Sequence, residues 1–345
     1  MRAAAFVLAC SQVAALTPAM AGPAAPPVLT EPATLSPRAQ GAAMFAVTRA
    51  GARLVAAGER GIVLLSDDGA ATWRQASVPV QTTLTALCFV DTQTGWAAGH
   101  LGVILKTEDG GVTWRKQLDG VRAATLLAQA LRAAGGERGP QAAQRYEDEG
   151  PDKPFFDIDF VDARNGIAIG AYNLAFATSD GGGTWTPLTA RLPNPKNLHL
   201  YAVRRLAGQI YIAGEQGLVL RSTDAGTSFE ARASPYKGSF FGLLATRSGT
   251  LLAFGLRGNA WRSVDRGASW AKVETGSSAS LNAGLELAEG TLALLAQSGA
   301  VLVSRDDGRT FTQQIGGGVP ASAFVSTAGG QFVLAGLRGV RRPSP

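Results

Sequence analysis

Short apolar runs alternate with polar, glycine-bearing breaks along nearly the whole chain. Between Leu84 and Gln117 the runs read "TALCFV", "GWAAG", "GVILKT" and "TWRKQ". Each is a few residues of β-branched, aromatic or small apolar type, bounded by Asp, Asn or Gly, residues that suit tight turns. Four such strands separated by turns predict one small antiparallel sheet. No apolar run beyond the N-terminus reaches 18 residues, so the pattern predicts no transmembrane helix in the mature chain.

The unit repeats. Aligned on one Asp, six phrases recur: "SDDGAATW" (Asp68), "TEDGGVTW" (Asp109), "TSDGGGTW" (Asp180), "STDAGTSF" (Asp224), "SVDRGASW" (Asp265) and "SRDDGRTF" (Asp306). Ala70 replaces the second glycine in the first copy. The steps between these Asp residues are 41, 71, 44, 41 and 41. Roughly ten residues ahead of each phrase runs a second motif, at Gly58, Gly99, Gly170, Gly214, Gly255, Ala296 and Gly336, which makes seven copies. Four short strands in a period near 41 are the blade of a β-propeller, and blades must stack around an axis to bury both faces. The fold class expected is all-β, a seven-bladed propeller over residues 42–342. Its blades begin near Ala42, Thr82, Lys153, Leu198, Gly238, Leu281 and Pro320. The seventh shows three strands, "SAFVST", "QFVLAG" and "GVRR", and "VLT" in the N-terminal segment 22–41 is expected to supply its closing strand.

The Asp phrase is expected to be the turn between third and fourth strands. Its carboxylate accepts backbone N–H groups, its glycine takes a dihedral other residues resist, and its Trp or Phe packs between blades. On this reading Asp68, Asp109, Asp180, Asp224, Asp265 and Asp306, with Trp73, Trp114, Trp185 and Trp270, are structural. One carboxylate per turn is too few ligands for calcium, so no metal and no cofactor is expected.

These residues carry a resemblance. The phrase looks like the Asp-box, or bacterial neuraminidase repeat. The whole unit, with Gly95, Trp96, Ala97, Ala98, Gly99 and Gly102 ahead of it, is similar to the photosystem II stability/assembly factor family. The resemblance implies an exported, non-enzymatic propeller that binds a newly made membrane protein as an assembly scaffold in photosynthetic members. One departure stands out. Residues 120–154 are an insertion between blades 2 and 3. "AATLLAQALRAA" has Leu126, Leu127, Ala130 and Leu131 at helical spacing, with Gly135-Gly136 as the stop, and "PQAAQRYEDE" predicts a second helix begun by Pro140.

Catalytic motifs are missing. His100 and His199 have no metal-ligand neighbours at known spacing, and no nucleophile elbow, H-E-x-x-H or phosphate loop occurs. The alternatives kept are a sialidase-like Asp-box glycoside hydrolase and a carbohydrate-binding propeller. The first needs an arginine cluster and a Tyr–Glu pair near the axis, and the Arg-Ile-Pro signature near the first blade is absent.

Composition adds compartment and partner. "MRAAAFVLACSQVAALTPAMAG" reads as a secretory signal peptide over residues 1–21, cleaved after Ala21. Export places the chain in a periplasm-like space. Cys10 leaves with the signal, and Cys88 in "LTALCFV" is expected as a lone core residue. The net charge of +6 falls to about +5 without Arg2, a modest excess with no nucleic-acid motif. The glycine turns and the insertion are expected on one face of a monomeric ring. There Arg60, Arg257 and Arg338 hold one shared turn position, with Arg262 and Arg341 following. That basic face is the expected docking surface for a membrane or membrane-associated protein.

Overall fold

The structure, a computed structural model, describes residues 25–135 and 139–343. The expected signal peptide with Cys10, residues 22–24, and Gly136 of the expected helix stop lie outside the described residues. The rest forms seven small antiparallel sheets in chain order. Blade 1 holds β1 (Met44–Ala50), β2 (Arg53–Gly58), β3 (Val63–Ser66) and β4 (Arg74–Gln75). Blade 2 holds β5 (Leu84–Phe89), β6 (Gly95–Gly99), β7 (Ile104–Thr107) and β8 (Arg115–Leu118). Helices α1 (Gly120–Ala134) and α2 (Gly139–Glu149) precede blade 3, which holds β9 (Phe155–Phe160), β10 (Gly166–Gly170), β11 (Ala175–Thr178) and β12 (Thr186–Pro187). Blade 4 holds β13 (Leu200–Leu206), β14 (Gln209–Gly214), β15 (Val219–Ser222) and β16 (Glu230–Ala231). Blade 5 holds β17 (Phe240–Ala245), β18 (Leu251–Gly255), β19 (Ala260–Ser263) and β20 (Ala271–Val273). Blade 6 holds β21 (Leu281–Glu286), β22 (Leu292–Ala296), β23 (Val301–Ser304) and β24 (Thr312–Ile315). Blade 7 holds β25 (Ala323–Ser326), β26 (Phe332–Gly336) and β27 (Gly339–Arg341).

Burial follows radius. The second strand of a blade is covered on both faces by its neighbours, so β6, β10, β18, β22 and β26 are buried at every residue. Outermost strands such as β16 are short and exposed. The core divides into one apolar cluster for each of the seven seams between blades. Each Asp-box aromatic packs into the seam behind its own blade: Trp73 between blades 7 and 1, Trp114 between 1 and 2, Trp185 between 2 and 3, Trp270 between 4 and 5.

The ring closes through β1, which packs against β25 as it does against β5. The closing segment differs from expectation. "VLT" is not a strand of blade 7. Pro27–Leu29 form a single 3-10 turn after Pro26, and prolines cannot donate to a ladder. Leu29, fully buried, drops instead into the seam of blades 1 and 2. Gln81 N–H donates to Val28 O (2.8 Å) and Ala33 N–H to Val78 O (2.9 Å). What reaches blade 7 is the turn Ala39–Gly41. A side chain on Gly61 would strike Val80 O at 2.0 Å, in the linker to blade 2, and one on Gly339 would strike Gln40 O at 1.9 Å. Residues 39–41 thus stand where other blades have their outgoing linker. Among the described residues, blade 7 keeps three strands.

Candidate functional site

The turns between second and third strands crown one face of the ring. Their first glycine presses on the residue ahead of the first strand: a side chain at Gly58 would meet Ala43 O at 2.0 Å. The residue two places on sits in the left-handed region in five blades, at Arg60, Leu101, Tyr172, Gln216 and Arg257, with φ between 52 and 57°. That conformation costs a non-glycine residue about 1 kcal/mol or more. Arg60, Tyr172, Gln216 and Arg257 are exposed, while Leu101 packs against the seam of blades 1 and 2.

The insertion lies on this face. Asp119 caps α1, its carboxylate accepting the Arg122 amide at 3.1 Å. The buried stripe is Gly120, Ala123, Ala124, Leu127 and Ala128. This differs from the expected stripe: Ala130 is exposed and Leu126 and Leu131 are half-buried, because small residues let the helix lie close on the blade. α1 touches the His100–Gly102 turn of blade 2. Arg132 clamps Glu147 of α2 through two bonds of 2.8 and 2.7 Å. Between α2 and the blade 3 turn opens a cleft of about 490 Å³, lined by Leu131, Ala142, Tyr146, Lys153, Tyr172 and Asn197.

From this cleft an aromatic row runs to the inner rim. Tyr172, 55% exposed, meets the His199 ring at 4.5 Å, and its amide donates to His199 Nδ1 at 2.9 Å. Phe156 stacks on Tyr201 at 5.3 Å, and Tyr201 meets Phe241 edge-on at 5.5 Å. The cause is a repeated β-bulge. The register of the innermost strand slips between Met44 and Ala46, Leu84 and Ala86, Leu200 and Ala202, Phe240 and Gly242, and Leu281 and Ala283; Phe156 is likewise unpaired. A bulge re-aims one side chain. Blades 3, 4 and 5 put an aromatic there. Glu215 lies beside this row, its Oε2 accepting the His199 amide at 2.8 Å. Burial, with Glu215 nearby, pushes the Tyr201 hydroxyl up.

Deeper along the inner strands, acids of β9 meet arginines of β13. Asp157 accepts the Val203 amide (2.9 Å) and the Arg204 guanidinium; Asp159 pairs with Arg205. Burial pushes the Asp157 carboxyl up, and Arg204 offsets this in part. Tyr201 and Glu215 come near each other, and the two arginines of β13, Arg204 and Arg205, are each paired with an acid of β9. The thiol of Cys88 accepts the Phe160 amide at 3.4 Å and is pushed up to about 12 by burial. Among the described residues no three His, Cys, Asp or Glu side chains group as metal ligands, and no helix is long and apolar enough to cross a membrane.

The expected arginines part company. Arg60 and Arg257 are exposed on the turn face in matching conformations. Arg338 is exposed too, in a tighter turn where Gly336 pairs directly with Gly339. Arg262 is not on this face. It binds the Asp307 carboxylate and carbonyl beside an Asp-box, because β19 carries it toward that opposite end. Arg341 is not displayed either: it is half-buried and donates to Val319 O at 2.9 Å. Phe156, Tyr201 and Phe241 were missed. Their signal was an aromatic second residue in "FFDIDF", "LYAVRRL" and "FFGLLA", legible only once those strands are aligned.

In every Asp-box the Asp carboxylate binds hydroxyl and amide partners of its own turn. At Asp180, Thr178 Oγ1 donates at 2.8 Å, Thr184 N at 2.9 Å and Thr184 Oγ1 at 2.7 Å. The Thr184 amide and hydroxyl hold that carboxyl down at about 2.

Residues 65–136 and 147–237 match the model of the photosynthesis system II assembly factor YCF48. Those two stretches, a little under half of the chain, are similar to the repeat of that family. Over 73 residues the chain is 32% identical to the photosystem II assembly lipoprotein Ycf48 of Synechococcus sp. (strain CC9902), covering 21% of this chain and 22% of that protein. The match thus spans about a fifth of that relative's length. Among solved structures, YCF48 bound to D1 peptide aligns with a TM-score of 0.64 at 16% identity, over 91% of this chain and 97% of that one. YCF48 from Cyanidioschyzon merolae aligns at 0.62 and 14%, over 90% and 97%. The GH74 xyloglucanase from Xanthomonas campestris aligns at 0.60 and 14%, over 89% and 52%. At these identities the structures speak for the propeller fold.

Proposed function

We propose that the chain is an exported, non-enzymatic propeller that holds a membrane or membrane-associated protein on its glycine-turn face as an assembly scaffold. The observation that carries this is the aromatic row from Tyr172 through His199 to Phe156, Tyr201 and Phe241, lying beside the helical insertion. Aromatic side chains half-open at a rim supply apolar contact with a polar edge, the composition of protein-binding hot spots. Arg60, Arg257 and Arg338 add exposed cations on the same face, which favour an acidic partner. A relative of the same repeat is named as an assembly lipoprotein, and a neighbour of the same fold is solved with a peptide bound. Both support the reading.

Crosslinking of the tagged protein in its native membranes, with identification of the captured proteins, tests it. The expected result is one enriched membrane protein joined to the insertion or to the rim. Tyr172→Ala with Tyr201→Ala should reduce that capture at least tenfold, and Arg60→Ala with Arg257→Ala and Arg338→Ala should reduce it most at low salt. Capture unchanged by all five substitutions removes the assignment to this face.

A further inference from the structure

We infer that the outer edge of β27 takes an extended, acidic segment of a partner protein as the fourth strand of blade 7. The inference rests on the partner-binding reading and adds a second contact surface to it.

Six blades have a fourth strand and, among the described residues, blade 7 does not. The backbone is set for one. In blades 1, 3 and 4, the first residue of the third strand gives its carbonyl outward: Val63 O to Ala76 N (2.9 Å), Ala175 O to Leu188 N (2.8 Å) and Val219 O to Arg232 N (2.8 Å). Val340 pairs with Ala335 as Val63 pairs with Ala57, so its carbonyl faces the same way. No backbone donor among the described residues meets it. With a period of two, Arg342 presents the next outward amide. An unpaired edge of this kind is a template for a further strand.

The side chains say what kind of strand. By the same register Arg341 and Arg342 stand where blade 1 has buried Leu64 and Leu65. Arg341 leans toward blade 6 and donates to Val319 O at 2.9 Å. Arg342 leans toward blade 1 and donates to Gly69 O at 2.6 Å. Both meet carbonyls and, among the described residues, no carboxylate. Two guanidiniums flanking an open edge, one of them half-buried, favour Asp or Glu on the incoming strand. Among the described residues the seam behind blade 7 also has no counterpart of the aromatic that six Asp-boxes supply elsewhere. A cleft of about 440 Å³ opens at this seam, lined by Leu285, Glu286, Arg305, Gln314, Val325 and Phe332. An aromatic residue on the incoming segment fits that gap.

The test uses the full chain and a labelled ten-residue peptide of alternating valine and glutamate with one tryptophan. Fluorescence anisotropy reads binding, and hydrogen exchange reads the amides of Val340 and Arg342. The expected result is saturable, salt-sensitive binding that slows exchange at those two amides. Arg341→Glu with Arg342→Glu should weaken it at least tenfold and favour the lysine version of the peptide. If the double variant does not fold, Arg342→Glu alone serves. Absent binding, unchanged exchange at 340–342, or indifference to charge reversal overturns the inference. So does protection of those amides in the free chain by crosslinkable residues 1–24, which would make the strand an internal one. In the membrane crosslinking experiment, a partner captured equally by parent and charge-reversed protein removes this inference and leaves the scaffold reading standing. No partner captured by the parent removes the reading beneath it.

Discussion

Trp114 and Trp185 occupy equivalent corners and differ in one hydrogen bond. Both are about 95% buried, at 4 and 5% exposure. The indole N–H of Trp114 donates to Gly111 O at 2.9 Å, while that of Trp185 is buried without a partner among the described residues. Replacement by Phe removes the same atoms from each. At Trp114 it also strands a carbonyl, at a cost of about 1 kcal/mol more than at Trp185, where it removes an unmet donor. Urea unfolding of Trp114→Phe and Trp185→Phe should show the first to be the less stable by that margin. The repeated Trp was visible in the sequence as a seam filler. Which copies satisfy their N–H was not, because the acceptor depends on how closely each turn folds under its own ring.

At the scale of elements, strands were legible and their partners less so. The period near 41 residues and the paired glycines located nearly every strand. The N-terminal segment misled because "VLT" reads as a strand, whereas two prolines before it and one deep apolar residue suit a turn anchored in a seam. Leu29 is fully buried in the cluster that holds Val55, Val63, Leu84 and Val103. Leu29→Ala should cost about 2–5 kcal/mol, although it lies outside every blade. A thermal melt of that variant within about 2 °C of the parent would show that the segment does not brace the seam of blades 1 and 2. The insertion shows the same limit. Helical spacing placed α1, but its contact stripe is set by small residues meeting the blade 2 turn and Pro151, which hydrophobicity does not rank.

For the whole molecule, the Asp-boxes sum to an acid response. Asp224 and Asp265 are held at about 2, first by the hydroxyls of Ser228 and Ser269, and Asp180 at about 2, first by the Thr184 amide; the ordinary value is 3.8. Asp68 and Asp306 are also lowered. A carboxyl with a depressed folded pKa takes up its proton first in the unfolded chain. Its contribution is full above pH about 4 and is lost as pH falls through about 2. The ring should lose stability steeply in that window, followed by denaturant midpoints at successive pH values. Asp180→Asn with Asp265→Asn should flatten the fall, with a lower midpoint at pH 7. A fall no shallower in the double variant would place the acid sensitivity in other groups.

The sequence by itself determined the ring: the number of blades, the Asp-box corner and the place of the insertion. Those follow from local periodicity, since each blade needs the same turns and the same apolar strands. The likeness to the photosystem II assembly factor repeat was readable for the same reason. Only the tertiary structure decided which side chains share a face. Arg60 and Arg257 stay on the turn face while Arg262 goes to the Asp-box end, because strand direction and register set the destination of each side chain. Phe156, Tyr201 and Phe241 lie 40 or more residues apart in the chain and meet only where the inner bulges bring them to one rim. The edge of β27, open among the described residues, belongs to the same class. It arises from where the N-terminal segment packs, and that is settled by burial of Leu29 in a seam formed by two other parts of the chain.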